Sequence, residues 1–189
     1  MRHRVQVLRV ASVLPALGIA ACALHRPSEP VPGQPPHLAA MTSVVERVRR
    51  HPPRRGFSLA LAPVTVSYEE ERYPLRLRPE FGTAVADLVA KRGRLDPIGP
   101  PYLAGVPVRR PGEFDPYDTA EYLLVRLSPV GFSPDSARAA LLVVFDCGPG
   151  CGSQVGVGLR RASNGGWRIA QYQRLPDPPP PAGAVQPPR

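Results

Sequence analysis

The residues of this chain best suited to chemistry are two cysteines, Cys147 and Cys151, which three residues separate. Thiols this close could form a structural disulfide, act as a redox pair or bind a metal ion. Catalytic redox pairs have two intervening residues and open a helix, whose N-terminus lowers the thiol pKa. Here the spacing is C-x3-C and the pair joins two strand-like runs. The sequence therefore favours a structural role and leaves the redox and metal roles as alternatives.

Histidine is too restricted in position to support catalysis. All four histidines precede residue 52, so the expected core contains none: they are His3, His25, His37 and His51. We therefore expect no histidine general base, no Ser–His or Cys–His pair and no zinc site. The chain also lacks a glycine-rich phosphate loop and the metalloprotease motif. The sequence predicts no catalytic residues and no cofactor, and it favours a protein that is not an enzyme.

Acidic residues form two weaker candidate sites. Glu69-Glu70-Glu71 follows a strand-like run and could ligate a divalent cation, but adjacent carboxylates on an extended chain point to opposite faces. Four further carboxylates could converge at one end of a sheet: Asp115, Asp118, Glu121 and Asp146. We interpret the three glutamates as a solvated loop, leave the convergence of the other four carboxylates open and expect no metal site. The alternative is a thiol-disulfide or small-ligand enzyme that uses Cys147/Cys151 or carboxylates in a pocket.

The N-terminus carries a targeting signal. A basic start, Met1–Arg4, precedes an apolar run from Val10 to Ala21, which is shorter than the about 20 residues of a bilayer span. The run ends in Ile19-Ala20-Ala21-Cys22, which resembles the lipobox of bacterial lipoproteins. The resemblance implies that the Cys22 thiol takes a diacylglyceryl group. It also implies cleavage between Ala21 and Cys22, which removes residues 1–21 as a signal peptide. An ordinary signal peptide is the alternative.

The same resemblance predicts where the protein lies. Two or three acyl chains, such as palmitate, anchor a protein stably in a bilayer. In Gram-negative lipoproteins a residue other than Asp after the cysteine, here Ala23, directs the protein to the outer membrane. We therefore expect a lipid-anchored protein of the cell envelope that faces the periplasm, with an envelope protein or a small ligand as a further partner. In this oxidising compartment Cys147 and Cys151 should form a disulfide.

The basic charge does not by itself indicate nucleic-acid binding. Lys+Arg number 24 and Asp+Glu 15, which gives a net charge of +9 and a pI near 10.3. All but one of the basic residues are arginine, Lys91 being the exception, and only the stretch from Arg47 to Arg55 is dense. This preference for arginine over lysine, together with abundant Pro, Ala and Gly, is typical of a bias in codon composition. We expect no nucleic-acid partner.

The chain has 27 prolines and 17 glycines, many of them at its two ends. We predict a lipidated Cys22 followed by a Pro-rich tether over residues 22–40, a single domain over 41–175 and a disordered Pro-rich tail over 176–189. Within the domain, Ser43-x-x-Glu46 predicts the capping box of a helix over about 42–51. A second helix is predicted over about 79–91, with Pro79 in its first turn and Lys91 at its end.

Strand patterns fill most of the remainder. Alternating apolar residues between Phe57 and Tyr68 predict a strand with a break at Ala62-Pro63, and a short strand is expected at Val106–Arg109. Four further runs predict a meander: Glu121–Ser128, Ala137–Asp146, Gln154–Arg161 and Trp167–Gln173.

Turn and core signals complete the expected fold. Asn164-Gly165 favours a type I′ hairpin before the last strand, and Trp167 is the expected core anchor beneath the helices. The fold class is α+β, with two short helices packed on a mostly antiparallel sheet that ends in the four-stranded meander.

The C-terminal third resembles a family of uncharacterised bacterial envelope proteins and lipoproteins. The resemblance lies in Val130-Gly131-Phe132, in Cys147-Gly148-x-x-Cys151-Gly152 and in Gly166-Trp167. It implies the meander and the structural role of the glycine-flanked cysteines, and it implies no activity.

Overall fold

The computed structural model describes residues 33–53, 56–69, 74–109, 122–147 and 152–176. The predicted signal peptide, Cys22, most of the tether and most of the tail lie outside the described residues. So do Cys151 and several of the candidate carboxylates, namely Glu70, Glu71, Asp115, Asp118 and Glu121.

The described part of the chain forms two α-helices, a 3₁₀ turn and eight strands. The helical elements are α1 (Pro36–Arg50), the 3₁₀ turn (Pro79–Phe81) and α2 (Gly82–Ala90). The strands are β1 (Ser58–Leu61), β2 (Tyr102–Leu103), β3 (Val106–Pro107), β4 (Tyr122–Leu127), β5 (Gly131–Phe132), β6 (Arg138–Asp146), β7 (Gly152–Arg161) and β8 (Trp167–Arg174). No helix in the described ranges is both long and apolar enough to cross a membrane.

Six of the strands form one sheet in the order β1-β4-β6-β7-β8, with β5 paired to β6. All of its pairings are antiparallel except that of β1 with β4, which is parallel. Strands β2 and β3 pair separately as a short hairpin. The predicted α+β class, with two helices on a mostly antiparallel sheet and a C-terminal meander, is confirmed.

The two helices cover opposite faces of the sheet. Along β7, Val155, Val157 and Leu159 enter the main core, which also contains the buried residues of α1. The alternate positions on β7 are glycines that face the other layer: Gly156 lies under Leu75, and Gly158 lies against the Phe81 ring. The α1 face and the α2 face of the sheet therefore have separate packing, and a small second core on the α2 face contains Leu88 and Leu142.

Helix α1 begins earlier than the sequence pattern predicts. It begins at Pro36, a residue type suited to the first helical turn, and Ala40 is completely buried. Residues 36–40 therefore belong to the folded unit and not to the predicted tether. The capping-box interpretation is wrong, because Ser43 lies inside the helix and donates from its hydroxyl to the Trp167 carbonyl at 3.1 Å or the Ala39 carbonyl at 3.3 Å.

The predicted break at Ala62-Pro63 marks the end of β1. The chain nevertheless continues beside β4, because the Ala62 and Val66 amides donate to the Val125 and Leu127 carbonyls at 2.9 and 2.8 Å. The expected strand at 106–109 is shorter, and beyond β3 the Arg109 amide donates to the Leu61 carbonyl at 2.9 Å.

The hairpin turn before β8 is not of type I′. Gly165 has φ +81°, but Asn164 is not among the described residues with positive φ, and a type I′ turn requires positive φ at both central residues. The Gly165 amide instead donates to the Ala162 carbonyl at 2.9 Å, and the Asn164 side chain accepts from the Gly166 amide at 3.1 Å. The longer loop thus uses glycine at only one left-handed position.

The second predicted helix is confirmed, although its first turn has the tighter 3₁₀ form. It packs with unusual closeness on Gly131 of β5. A Cβ atom at Gly131 would lie 2.5 Å from the Leu88 amide nitrogen and 2.7 Å from the Leu88 Cβ. Only glycine lets the helix backbone approach the strand this closely.

Candidate functional site

A groove lies where α1 ends and the sheet continues. Two cavities, of about 500 and 200 Å³, share Pro53 and Tyr172 in their walls. We call their combined space the α1-end groove. Its polar wall consists of Arg47, His51, Ser153, Tyr172 and Arg174, and its apolar floor consists of Val48, Leu123, Phe145, Val155 and Ile169.

The last turn of α1 forms one side of the groove. Arg47, Val48 and His51 follow each other at spacings that place them on one side of a helix. Val48 is buried in the main core, while Arg47 and His51 are exposed. The His51 amide donates to the Arg47 carbonyl at 3.0 Å, which fixes the helix end. The packing of Val48 therefore holds the two polar side chains at the mouth of the groove.

A bulge between β7 and β8 forms the other side. The register shifts at Gly158/Leu159, so that Ile169 pairs with Leu159 whereas Tyr172 pairs with Val157. Strict alternation from Ile169 would place residues 171 and 173 on the α1 face. The shift instead brings Tyr172 and Arg174 to that face, beyond the end of α1.

Two arginines line the groove, and none of the described residues that line it is acidic. Several arginines elsewhere in the fold have carboxylate partners: Arg126 binds Asp146 at 3.1 Å, Arg94 binds Asp96 at 2.6 Å, and Arg160 binds Glu80. Across the described ranges, the side chains of Arg47, His51 and Arg174 enter no hydrogen bond or ion pair.

Tyr172 is half-exposed, and its ring stands over the groove floor. Burial raises the pKa of its phenol above the ordinary value, and the positive charge of Arg47 partly opposes this effect. The phenol is thus a neutral hydrogen-bond donor over the whole physiological pH range.

Cys147 belongs to the wall of the smaller cavity and packs against the main core. It is disulfide-bonded, and its partner lies outside the described residues. The pairing with Cys151 therefore stays a prediction. Cys147 directly follows β6, whose last residue pairs with Gly152 at the start of β7. This strand-to-strand position provides no helix N-terminus to lower a thiol pKa.

Only one carboxylate of each candidate set, Asp146 and Glu69, lies among the described residues, so the convergence of Asp146 with Asp115, Asp118 and Glu121 stays a prediction. Asp146 accepts a hydrogen bond from the Arg126 guanidinium across β4 and β6. Glu69 is half-buried in the segment after β1. Where the structure describes the chain, no three His, Cys, Asp or Glu side chains are grouped so that they could hold a metal ion.

Lys91, which lies at the end of α2 as predicted, is held there by several contacts. Its ammonium donates to Asp87 Oδ2 at 2.7 Å and to the Val130 carbonyl at 2.8 Å, and it lies 5.5 Å from the centre of the Phe132 ring. Asp87 Oδ2 also accepts from the Phe132 amide at 2.8 Å. These bonds join α2 to β5. Nothing in the sequence pattern indicated this cluster.

Desolvation opposes ionisation of Asp87, but the hydrogen bonds from Lys91 and the Phe132 amide outweigh it, so that the pKa of Asp87 is lowered. A cavity of about 250 Å³ beside this cluster is also lined by His37, Arg94 and Asp96. Because Lys91 is paired with Asp87 and Arg94 with Asp96, we assign this region a structural role.

The prediction for Trp167 is confirmed. Its side chain is 2% exposed, and its ring lies 5.7 Å from that of Phe132 in a tilted arrangement. The folded unit contains two histidines, although none was expected in its core. Because α1 begins at Pro36, His37 and His51 belong to the folded unit, and His51 lines the groove.

The comparisons with known proteins give no relative for this chain. The sequence matches no protein-family model, and neither a curated protein nor a solved structure matches it.

Proposed function

We propose that this protein is a lipoprotein of the bacterial cell envelope, anchored through acylated Cys22 to the outer membrane and facing the periplasm, which acts by binding and not by catalysis. Its binding site is the α1-end groove. The observation that carries the binding role is a groove lined by apolar side chains and by two arginines, Arg47 and Arg174, for which the described part of the chain provides no carboxylate partner.

The composition of the groove supports binding over catalysis. Nucleophilic catalysis needs a nucleophile and a base held by a partner. Cys147 is disulfide-bonded, and the raised pKa of Tyr172 keeps its phenol protonated. None of the described side chains forms a hydrogen bond with His51 that would orient it as a general base. The groups that remain can hold a ligand without transforming it.

The anchor is tested by the intact mass of the protein from the membrane fraction, before and after reduction and alkylation. We expect the mass of residues 22–189 plus acyl chains, with two hydrogens fewer before reduction because of the Cys147–Cys151 disulfide. A Cys22→Ala variant should lose the acyl chains. An unacylated chain that begins at another residue would contradict the anchor, and two free thiols would contradict the disulfide.

The binding role is tested by native mass spectrometry of the full chain released gently from its own membrane. We expect a bound species that disappears in Pro53→Trp, because an indole at the residue shared by both cavities fills the groove. Pro134→Trp is the matched control, since Pro134 is exposed in the turn at the opposite end of β6. A bound species that Pro53→Trp leaves in place would place the site elsewhere.

A further inference from the structure

We infer that the α1-end groove binds a small amphipathic organic anion, whose carboxylate or phosphate group is held by Arg47 and Arg174 and whose apolar part lies on the floor of the groove. This inference rests on the proposed binding function and specifies its ligand.

The two arginines in the polar wall of the groove indicate a negatively charged ligand. Arg47 comes from α1 and Arg174 from β8, and neither has an ion-pair partner in the described part of the chain. Guanidinium groups bind carboxylate and phosphate oxygens through paired, charge-assisted hydrogen bonds. Tyr172 adds a neutral hydroxyl donor, since it lines both the cavity with Arg47 and the cavity with Arg174. An anion would thus satisfy donors that the fold leaves without acceptors.

The apolar part of the ligand follows from the floor. Phe145 and Val155 are buried in the main core and still line the smaller cavity, while Val48 and Ile169 line the larger one. The Tyr172 side chain is 51% exposed and presents its ring to the same space. A fully hydrated inorganic anion would leave this apolar surface in water, whereas an acyl or aromatic group would cover it.

The size of the ligand follows from the volume. The larger cavity of about 500 Å³ falls within the range of small-molecule sites, about 300–1,000 Å³. Such a space accommodates a fatty-acid-sized or monoaromatic compound.

The test uses the full lipidated chain in nanodiscs of neutral phosphatidylcholine. Isothermal titration calorimetry compares octanoate and octyl phosphate with octanamide, a neutral analogue, and with octylammonium, a cation. We expect the two anions to bind, and the neutral and cationic compounds to bind at least about tenfold more weakly, because charge-assisted hydrogen bonds are lost. Preference for octyl phosphate would indicate a phosphorylated ligand, and preference for octanoate a carboxylate.

Matched charge variants locate the interaction. Arg47→Gln and Arg174→Gln should each weaken octanoate or octyl phosphate binding about tenfold. Arg168→Gln removes the same charge from the same strand, on its opposite face, and Arg168 also makes no ion pair among the described residues. It should change affinity less than about twofold.

The outcomes separate the ligand class from the binding function. Equal binding of octanamide and octanoate, abolished by Pro53→Trp but unaffected by Arg47→Gln, would overturn the anion inference and leave the binding role intact. If Arg168→Gln and Arg47→Gln weakened ligand binding equally, the effect would come from the net charge of the protein and not from the groove. This result would also overturn the anion inference. If no amphiphile binds and native mass spectrometry finds no species sensitive to Pro53→Trp, the binding function fails as well.

Discussion

Asp87 connects a helix to a strand through one carboxylate oxygen, which accepts from both Lys91 and the Phe132 amide. Asp87→Asn removes the charge that both donors prefer. We expect it to lower the free energy of unfolding by about 1–2 kcal/mol near neutral pH. Urea unfolding of the two proteins at pH 6 measures this difference.

The contribution of Asp87 to the free energy of unfolding should decrease at low pH. The folded state lowers its pKa, so the unfolded chain binds its proton first and the stabilisation is complete only above the ordinary carboxyl pKa of about 3.9. It is lost as the pH falls through the lowered folded-state value. The difference between wild type and Asp87→Asn should therefore shrink at pH 3. A difference of the same size at pH 3 and pH 6 would contradict this assignment.

Gly131 shows how strongly one missing Cβ can control packing. Gly131→Ala would force a methyl group against the Leu88 backbone, which cannot move unless α2 lifts from β5. We expect a loss of about 3 kcal/mol or more in the free energy of unfolding. Gly82→Ala is the control: its Cβ would meet nothing within 4 Å, and alanine favours a helix. That variant should be neutral or gain up to about 1 kcal/mol, and similar losses in both would refute the packing argument.

At the scale of elements, the β7–β8 bulge determines which side chains of β8 face each layer. It turns Gln171 and Gln173 towards the α2 face, where their side-chain oxygens accept from the Arg78 and Arg76 amides, each at 2.8 Å. These two bonds hold the extended segment 74–78 over the glycines of β7. Gly156 provides the space, because its missing Cβ is replaced by the Leu75 side chain.

Hydrogen exchange can test each of these bonds separately. Gln173→Ala should speed exchange of the Arg76 amide severalfold, up to about tenfold, and leave the Arg78 amide unchanged. Gln171→Ala should do the reverse, so that each variant is the control for the other. Equal acceleration of both amides by either variant would mean that the segment opens as a unit and that the individual bonds do not hold it.

The meander was predictable because its information is local. Apolar residues form an unbroken run along β6 and alternate with glycines along β7. Short turns join the successive strands, which leaves antiparallel neighbours as the simple solution. The parallel pairing of β1 with β4 was not predictable in this way. Alternation between Phe57 and Leu61 indicates a strand but does not specify a partner that begins at Tyr122. The capping box predicted at Ser43 was wrong because the sequence does not distinguish a serine that caps a helix from one whose hydroxyl forms a hydrogen bond inside it.

At the scale of the whole molecule, the folded unit includes residues that the composition assigns to a tether. Ala40→Asp would place a carboxylate at a fully buried position on α1, and we expect it to cost at least about 3 kcal/mol in the free energy of unfolding. A thermal or urea melt of the full chain measures the loss.

Pro35→Asp provides the matched control for Ala40→Asp. Pro35 is exposed at the N-cap of α1, where aspartate is favoured, so this variant should be neutral or slightly stabilising. A silent Ala40→Asp would show that the tether extends through residue 40.

The candidate site also arises only at this scale. Its polar wall combines Arg47 and His51 from α1 with Tyr172 and Arg174 from β8, elements at opposite ends of the folded sequence. The dense arginine stretch near residue 50 was visible in the sequence, but its neighbours in space were not. Tyr172 would have been assigned to the wrong face, because no sequence pattern announces the bulge at Gly158/Leu159.

The single lysine of this chain gives it a built-in covalent reporter. An acylating reagent that attacks ε-amines has only Lys91 to modify, and that amine must first leave Asp87 and the Val130 carbonyl. Its labelling rate therefore measures how often these two bonds open. Time-resolved labelling, read as one mass increment, would follow this local opening in the native protein.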